Sequence, residues 1–254
     1  MLRIEFARLP VPGVHAGVVL RTQRVGNPGG VSLWASGGYA PREVALTRRI
    51  LASTLRRPRT ALRTLRQIHG DTVVYRSAAE PSDEEPPRAD AHWTREPGVV
   101  LLANIADCCP VVVAHQDQRF VGLAHSGWRG TAANIIGALI DTVCADKTSG
   151  CDPRELYVWI GPCAEADRYE VGPEVATRFN DYSEALRPHP EKGDKSFLDV
   201  AGTIRHQVIA AGVPADRIGA SGGGTIGDGR YHSHRRDGFH AGRMAAFVTF
   251  DDPS

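Results

Sequence analysis

The spacing of apolar residues along this chain predicts helices in three places. In residues 41–55, 131–146 and 199–213, apolar side chains recur every three or four positions, as they do on one face of a helix. Pro41 stands in the first turn of the first helix, where a missing N–H is tolerated. Gly212 marks the end of the third helix, because glycine readily adopts the left-handed conformation of a helix end.

Other apolar segments are shorter and have the composition of β-strands. One of them has the pattern of a hairpin that turns at "HQDQ". Helices separate the strands irregularly, so the pattern predicts an α+β fold with mixed β-sheets flanked by helices, rather than a strictly alternating parallel fold. The polar, proline-containing stretches 76–90 and 187–196 indicate surface loops, and residues 1–254 are expected to form a single domain. The strand-like segments are residues 13–22, 98–105, 109–125 and 156–162.

Composition and charge limit the classes of partner. Of the 254 residues, 42% are hydrophobic and 23% are charged, and the net charge is +1. A nearly neutral chain with scattered basic residues favours neither nucleic acid nor a membrane surface as a partner. No apolar run approaches the ~20 residues of a membrane span, and the N-terminus lacks the pattern of a secretion signal.

The chain has five cysteines, and their odd number does not indicate a disulfide framework in a protein of this length. We therefore expect a reducing, cytoplasmic location, where a special cysteine is catalytic or metal-bound. The plain alternative is core packing, because free cysteine is among the most buried residue types.

Residues that can bind a metal stand at the ends of three apolar segments. They are His69 before a strand, Asp107, Cys108 and Cys109 between two strands, and His125 at the end of a strand. Two imidazoles and one thiolate would supply the three protein ligands of an open zinc site, and a thiolate argues against Mg²⁺ and Ca²⁺. Neighbouring side chains of an extended segment face opposite ways, so only one of the two adjacent cysteines faces such a site. Taken singly, each residue has a more frequent structural interpretation, as a hydrogen-bonded histidine or a core thiol.

A second cluster of polar residues lies near the C-terminus, in "YHSHRRDGFHAGR" (231–243). Arg235 and Arg236 are adjacent within it. Neighbouring arginines usually face solvent, but beside a glycine-rich loop they are also able to hold a phosphate through paired hydrogen bonds.

Seven short motifs occur together in this chain: "QIHG", "ADA", "ADCCP", "AHSGWRG", "IGPC", "YEV" and "SHRRDGFHAGR". In this order and rough spacing they resemble the bacterial YfiH-like proteins. That family was long labelled multicopper polyphenol oxidase or laccase-domain protein and was later recognised as purine nucleoside phosphorylase. The resemblance covers roughly residues 12–250 and implies a YfiH-like/CNF1-like architecture.

The resemblance also implies a metal site and an activity. The family's zinc ligands fall on His69, Cys108 and His125, with Cys109 at the variable position of the Asp-Cys-x-Pro motif. The implied reactions are phosphorolysis of adenosine, inosine, guanosine and methylthioadenosine, together with deamination of adenosine. The expected partners are therefore purine nucleosides and phosphate, and we expect a monomer or weak dimer.

Further residues receive roles as hypotheses. Arg235 is expected to contact phosphate together with Arg24, or with Arg21, because the segment around them is longer than the family's usual pattern. Gln67 and Asp107 are candidates for proton transfer or for orienting a zinc ligand. A carboxylate beside zinc ligands commonly orients an imidazole, and Asp107 could have that role alone.

Three other functions compete with this one. A laccase holds several coppers largely through paired His-x-His motifs, whereas this chain has ten histidines in all and one such motif, "HSH". A metal-independent hydrolase or amidase acting on cell-wall precursors is the main alternative, with Cys108 and His125 or His69 as a thiolate–imidazole pair. A binding module without activity is the least favoured, because binding alone does not need an open metal position.

Overall fold

The computed structural model describes residues 2–21, 41–80 and 85–252, and we assign the helices and strands within these ranges. The strands are β1 (Ile4–Phe6), β2 (Val14–Val19), β3 (Leu62–Arg63), β4 (Val73–Tyr75), β5 (Ala91–Thr94), β6 (Val100–Ile105), β7 (Cys109–His115), β8 (Val121–Ser126), β9 (Leu156–Ile160), β10 (Glu170–Val171), β11 (Leu186–Pro188), β12 (Ser196–Leu198), β13 (Ile218–Ala220) and β14 (Met244–Phe250). The α-helices are α1 (Pro41–Thr54), α2 (Trp128–Ala132), α3 (Ile135–Ala145), α4 (Pro173–Ala176), α5 (Val200–Ala210) and α6 (His234–Asp237).

The strands form two large sheets and one small one. The six-stranded sheet has the order β13-β9-β7-β8-β5-β4, and the five-stranded sheet has the order β1-β2-β14-β6-β3. Both contain parallel and antiparallel pairs, which confirms the prediction of an α+β fold with mixed sheets. Strands β10, β12 and β11 form a separate three-stranded sheet, in that order.

Alternation along the central strand β7 shows how the layers stack. Val111 and Val113 belong to a core formed with helices α3 and α5, whereas Val112 and Ala114 belong to a core formed with the five-stranded sheet. The far face of the five-stranded sheet packs against Leu51 of α1. The order of layers is therefore α3 and α5, six-stranded sheet, five-stranded sheet and α1. Burial of β7 on both faces explains why its sequence is a continuous apolar run.

Most predicted elements lie where the apolar pattern places them. The segment predicted as one helix over residues 131–146 instead contains parts of two helices. The stretch 131–146 is interrupted at Asn134, whose φ of 58° is left-handed, so α2 ends before it and α3 begins after it. The Asn134 side chain caps α3 by accepting from the N–H of Gly137 at 3.2 Å. Asparagine tolerates this conformation and caps helices well, which apolar spacing alone does not reveal.

One pair of cysteines is bonded despite the odd total. Cys144 at the end of α3 forms a disulfide with Cys151, and their Cα atoms are 4.6 Å apart. The disulfide closes a surface turn, although the odd number of cysteines gave no indication of a disulfide framework. Among the described helices, none is both long and apolar enough to cross a bilayer.

Candidate functional site

Four polar residues meet where several strands of the six-stranded sheet begin or end. Strands β4, β5 and β7 run in one direction and β8 runs in the other, so the first residues of β4, β5 and β7 lie at the same end of the sheet as the last residues of β8. His69 lies before β4, Asp90 and Cys108 directly precede β5 and β7, and His125 lies in the last two residues of β8. The topology thus brings together residues that are far apart in the sequence.

His69, Cys108 and His125 form a group whose ligand atoms all lie within 4.8 Å of one another. The two imidazole centroids are 5.0 Å apart. His125 is buried, Cys108 is half-buried and His69 is exposed, so the group opens on one side. Two nitrogens and one sulfur suit Zn²⁺ and leave a fourth position for water or substrate. Cys109 faces the core instead, and its thiol donates to the carbonyl of Gly161 at 3.5 Å.

The side chain of Asp90 forms hydrogen bonds with both histidines of this group. One carboxylate oxygen accepts a hydrogen bond from the N–H of His69 at 2.9 Å and lies 2.9 Å from Nδ1 of His125. The other oxygen accepts from the N–H groups of Ile68 and Gly70, at 3.1 and 2.7 Å. With Nδ1 of His125 held by Asp90, Nε2 is the nitrogen left for a metal. This carboxylate–histidine arrangement is the one that fixes ring orientation at metal sites.

The backbone of the site is strained at two positions. His69 has φ of 60° and Asp107 has φ of 83°, both in the left-handed region that non-glycine residues seldom occupy. Three N–H donors of the His69 turn point at Asp90, which holds this conformation in place. Such conformations persist where the surroundings over-determine them, and they cluster at functional sites.

Gly127 allows the thiol and the turn after β8 to approach each other closely. A Cβ atom at this position would lie 2.8 Å from Sγ of Cys108 and 3.3 Å from Cδ2 of His69. Even an alanine would therefore displace two members of the group. The glycine of "HSGW" is required by contact with the site rather than by its backbone angles.

The three groups shift one another's protonation. Burial raises the pKa of Cys108, but the nearby His125 and His69 rings outweigh burial and lower it to about 6. Burial lowers the pKa of His125, but the Cys108 thiolate and Asp90 outweigh burial and raise it to about 9. Burial also raises the pKa of Asp90, and its hydrogen bonds to His125 and Gly70 bring it below the ordinary value. The site therefore favours a thiolate and an ionised carboxylate around a protonated His125 ring, and binding of a metal would release that proton.

A cavity of about 540 Å³ opens beside the group. Its walls include arginine side chains on several elements, and the guanidinium of Arg129 stacks over the Trp128 ring at 4.1 Å. Arg243 is held by its own turn, because Nη1 donates to the carbonyls of Ala241 and Gly242. The concentration of positive charge suits an anionic ligand. The arginines that line the cavity among the described residues are Arg66, Arg129, Arg235 and Arg243.

Arg235 and Arg236 have different surroundings, although they are adjacent. Arg235 lines the cavity, lies 4.7 Å from the Tyr169 ring centroid and donates to the carbonyl of Glu170. Arg236 binds Asp237 and several backbone carbonyls, so it holds the loop together. Of this pair, only Arg235 reaches the cavity among the described residues.

Asp107 and Gln67, which were also singled out in the sequence, line the cavity. Arg21 is not among the lining residues, and its guanidinium lies 3.7 Å from the carboxylate of Asp237. Asp107 accepts from the hydroxyl of Thr225 and from the N–H of Arg235, both at 2.6 Å. The carboxylate bonded to an imidazole is thus Asp90, and Asp107 instead ties two loops to the cavity wall. The Gln67 carboxamide bonds to the backbone of Asn104 at both ends. Arg24 lies outside the described residues.

Comparison with known proteins identifies the family of the chain. The family described as "Multi-copper polyphenol oxidoreductase laccase" matches residues 27–251 of the chain. The chain belongs to this laccase-domain family. Relatives within it carry another name as well: the family resemblance to YfiH-like proteins is confirmed by curated relatives called purine nucleoside phosphorylase.

Relatives of the laccase-domain family match most of the chain. A purine nucleoside phosphorylase of Xylella fastidiosa is 36% identical over 242 residues, covering 93% of this chain and 88% of that protein. The purine nucleoside phosphorylase YfiH of Escherichia coli is 31% identical over 192 residues, 72% of each. The crystal structure of YlmD from Geobacillus stearothermophilus superposes with a TM-score of 0.86 at 29% identity, covering 96% of this chain and 94% of that one. A Neisseria meningitidis structure gives 0.82 at 29% identity, covering 98% and 99%.

Asp90 is the residue of the candidate site to which the sequence analysis gave no role. The sequence did contain an indication of its importance, because Asp90 is the central residue of "ADA" (89–91), one of the motifs that carry the resemblance. The tripeptide stands directly before β5, at the sheet edge where the metal-binding residues meet. The sequence alone does not predict that Asp90 contacts His125, because that contact depends on the order of strands in the sheet.

Proposed function

We propose that this chain is a zinc-dependent purine nucleoside phosphorylase that also deaminates adenosine. The observation that carries the proposal is the open histidine–cysteine–histidine group beside an arginine-lined cavity. The volume of about 540 Å³ is within the range that proteins use for small ligands. The names of the curated relatives support purine nucleosides and inorganic phosphate as substrates. Within that class we propose adenosine, inosine, guanosine and methylthioadenosine.

His69, Cys108 and His125 would hold the zinc ion, the last through Nε2 because Asp90 occupies Nδ1. When bound, zinc supplies Lewis-acid activation of water and positive charge at the cavity wall. The ionised carboxylate of Asp90 keeps the His125 ring in one orientation. Because His69 is exposed, substrate reaches this group from the cavity side.

Arg235, together with Arg24, is proposed to bind the attacking phosphate. The Arg235 side chain is positioned by the Tyr169 ring and the carbonyl of Glu170, which leaves donor N–H groups of the guanidinium for an anion. Holding phosphate close to the anomeric carbon converts an encounter of two substrates into a positioned reaction. The positive charge also offsets the charge of the phosphate as the base departs.

Asp107 and Gln67 are proposed as the residues that handle protons or position those that do. Asp107 is fixed by Thr225 and the backbone of Arg235, and Gln67 is fixed by the backbone of Asn104. Both side chains line the cavity. A carboxylate in reach of a departing purine is able to donate or accept a proton in the transition state.

The protein is further proposed to act in the cytoplasm, as a monomer or weak dimer. Cys108, Cys109 and Cys163 are free thiols, as expected in a reducing compartment, whereas the Cys144–Cys151 disulfide is a bond that such a compartment disfavours. The large exposed hydrophobic side chains among the described residues come from four separate segments of the chain, at Phe6, Ile68, Ile209 and Phe239.

The decisive experiment incubates metal-quantified protein with adenosine, with and without inorganic phosphate, and identifies the products by mass. Ribose-1-phosphate and adenine are expected only when phosphate is present, and inosine is expected in both samples. Treatment with a chelator should abolish both reactions, and added zinc should restore them. Absence of all three products from zinc-loaded protein would overturn the proposal.

The role of Arg235 is tested separately with Arg235→Ala. The KM for phosphate should rise roughly 10- to 100-fold, because charge-assisted hydrogen bonds to the anion are lost. Deamination of adenosine needs no phosphate and should keep its rate. Arg178→Ala, an exposed arginine away from the cavity, serves as the matched control. An equal loss of both activities in Arg235→Ala would contradict the assignment.

One observation favours a second candidate, a hydrolase or amidase with Cys108 as nucleophile. The thiol lies between two imidazole rings, and such a pair is able to act without metal. This candidate predicts that chelator-treated protein cleaves an amide of a cell-wall precursor and that thiol alkylation stops the cleavage. Phosphorolysis that needs zinc, without amide cleavage, decides in favour of the first function.

A further inference from the structure

Arg129 is an arginine of the cavity wall to which the proposed reaction assigns no role. Its side chain is exposed, and its guanidinium carbon lies 4.1 Å from the centroid of the Trp128 ring. The structure shows no hydrogen bond or ion pair between this guanidinium and any described residue. The five N–H donors of a guanidinium lie in its plane, so a ring against one face leaves them free to bind a ligand.

Tyr169 and Arg235 form a second pair of the same kind. The guanidinium carbon of Arg235 lies 4.7 Å from the centroid of the Tyr169 ring, and both residues line the cavity. The Trp128 and Tyr169 rings pack against the same hydrophobic core, so burial fixes their positions without a ligand. Two guanidinium groups are therefore supported at the cavity wall before a ligand arrives, which lowers the entropy cost of binding.

The phenol of Tyr169 lies within electrostatic range of both arginines. Burial, followed by the negative charge of Cys108, raises the pKa of Tyr169 to about 12, and the positive charges of Arg235 and Arg129 oppose that rise. The hydroxyl is therefore protonated at neutral pH. No described residue accepts a hydrogen bond from it, so it is a third donor available at this wall. The three side chains thus share the part of the cavity near Cys108.

Two guanidinium groups and a protonated phenol supply mainly hydrogen-bond donors, which indicates the chemistry of the ligand. An anion with several acceptor oxygens, such as inorganic phosphate, pairs with all three groups. A neutral purine base would leave both guanidinium charges without a counterion. The other arginines of the cavity fit less well, because Arg243 donates to carbonyls of its own turn and Arg66 stacks on no ring among the described residues.

We propose that Arg129 and Tyr169 complete, together with Arg235, the site that binds inorganic phosphate. The inference rests on the proposed function and adds two residues to the one arginine of the described chain that it assigns to phosphate. Each guanidinium donates a pair of hydrogen bonds to phosphate oxygens, and the phenol donates one more. The two positive charges match the two negative charges of the phosphate dianion. Because the donors are already in place, the site stabilises the anion without rearranging.

The test measures phosphate binding and turnover in Arg129→Ala and Tyr169→Phe, using zinc-loaded full-length protein. Calorimetry with inorganic phosphate gives the dissociation constant without turnover. Initial rates with adenosine give the KM for phosphate and the rate of deamination. Arg129→Lys keeps the charge but loses the paired hydrogen bonds, and it replaces the alanine variant if that one fails to fold.

Tyr157→Phe is the matched control for the tyrosine. The guanidinium carbon of Arg217 also lies 4.7 Å from the centroid of the Tyr157 ring, but neither residue lines the cavity. Phosphate binding should therefore be the same in Tyr157→Phe and in wild type. Arg66→Ala tests the competing arginine of the cavity wall.

The dissociation constant and the KM for phosphate should rise roughly 10- to 100-fold in Arg129→Ala and roughly 3- to 10-fold in Tyr169→Phe. Deamination should stay within about twofold of the wild-type rate, as for other substitutions of a side chain that the reaction does not use. Phosphate binding that is unchanged in both variants, or weakened only in Arg66→Ala, overturns the inference and leaves the proposed function intact. An equal loss of phosphorolysis and deamination in Arg129→Ala also overturns it.

The calorimetric measurement separates this inference from the proposed function. If wild-type protein binds phosphate through these residues but converts no nucleoside, the proposed function fails and the phosphate site is supported. If wild-type protein does not bind phosphate at all, both fail.

Discussion

At the scale of single residues, one buried carboxylate accounts for most of the geometry of the site. Asp90 is fully buried, and its hydrogen bonds go to the backbone of the His69 turn and to the His125 ring. It therefore holds the left-handed turn that presents one ligand and orients the ring of another. Both candidate ligands therefore depend on a carboxylate that is not itself one of the three candidate metal-binding residues.

We predict that Asp90→Asn weakens zinc binding by roughly 10- to 100-fold, the usual effect of losing a carboxylate that orients a ligand. The amide keeps the shape but places N–H donors opposite the N–H groups of the turn. Zinc affinity is measured by competition with a chromophoric chelator, and thermal melting verifies that the variant is folded. Asp71→Asn, an exposed carboxylate of the same segment, is the control and should bind zinc like wild type. A folded Asp90→Asn protein with unchanged affinity would remove Asp90 from the site.

At the scale of elements, helix α5 supports the turn that follows His125. Gln207 of α5 is buried, and its Nε2 donates to the carbonyl of Thr131 in α2 at 2.7 Å. Helix α2 begins directly after Gly127, so α5 braces the segment that packs on Cys108. Helix α5 in turn begins at Asp199, whose side chain accepts from the N–H of Gly202 at 2.8 Å.

Removing this cap with Asp199→Ala should lower the free energy of unfolding by about 1 kcal/mol, as for other N-cap residues. The loss arises because the first turn of α5 then has an unpaired N–H. Chemical denaturation followed by circular dichroism measures it, and the denaturant slope should not change. Asp194→Ala in the exposed loop before α5 is the matched control. Equal stability of the two variants would show that the cap contributes nothing.

At the scale of the whole molecule, the two large sheets enclose a histidine that has no hydrogen-bond partner. His92 of β5 pairs in register with Leu123 and so faces the core between the sheets. Both of its ring nitrogens are buried without partners. Burial, with a smaller contribution from the positive charge of Arg76, holds the pKa of His92 well below its ordinary value. The folded protein therefore keeps this ring neutral.

We predict that this histidine makes the protein sensitive to acid. In the unfolded chain the ring has a pKa of about 6.5, so below that pH unfolding takes up one proton and stability falls by about 1.4 kcal/mol per pH unit. The stabilising contribution is complete above about pH 6.5 and is lost as the pH falls towards the folded pKa. His92→Leu should remove this proton from the pH dependence between pH 6.5 and 5. Denaturation at several pH values measures the slope, with the exposed His240→Leu as control. A slope identical to wild type would refute the prediction.

The apolar pattern and the motifs by themselves determined much of this protein. They placed α1, β7, β8, β9 and α5 nearly at their observed bounds, indicated mixed sheets, and named the three residues that meet in the candidate metal site. Periodicity carries this information because burial of one face is a local property of the chain. The motifs carry the rest because they specify residue types at sheet ends.

Only the tertiary structure decided which of these residues meet. The order of strands in the six-stranded sheet brings Asp90 against His125, and hydrogen bonds within the C-terminal loop hold Arg236 away from the cavity. Pairing between distant strands is set by how whole sheets pack, and no local spacing encodes it. The break at Asn134 likewise depends on a backbone angle that apolar spacing does not report. The sequence thus determined which residue types are available to the site, whereas the packing of the sheets determined which of them are in contact.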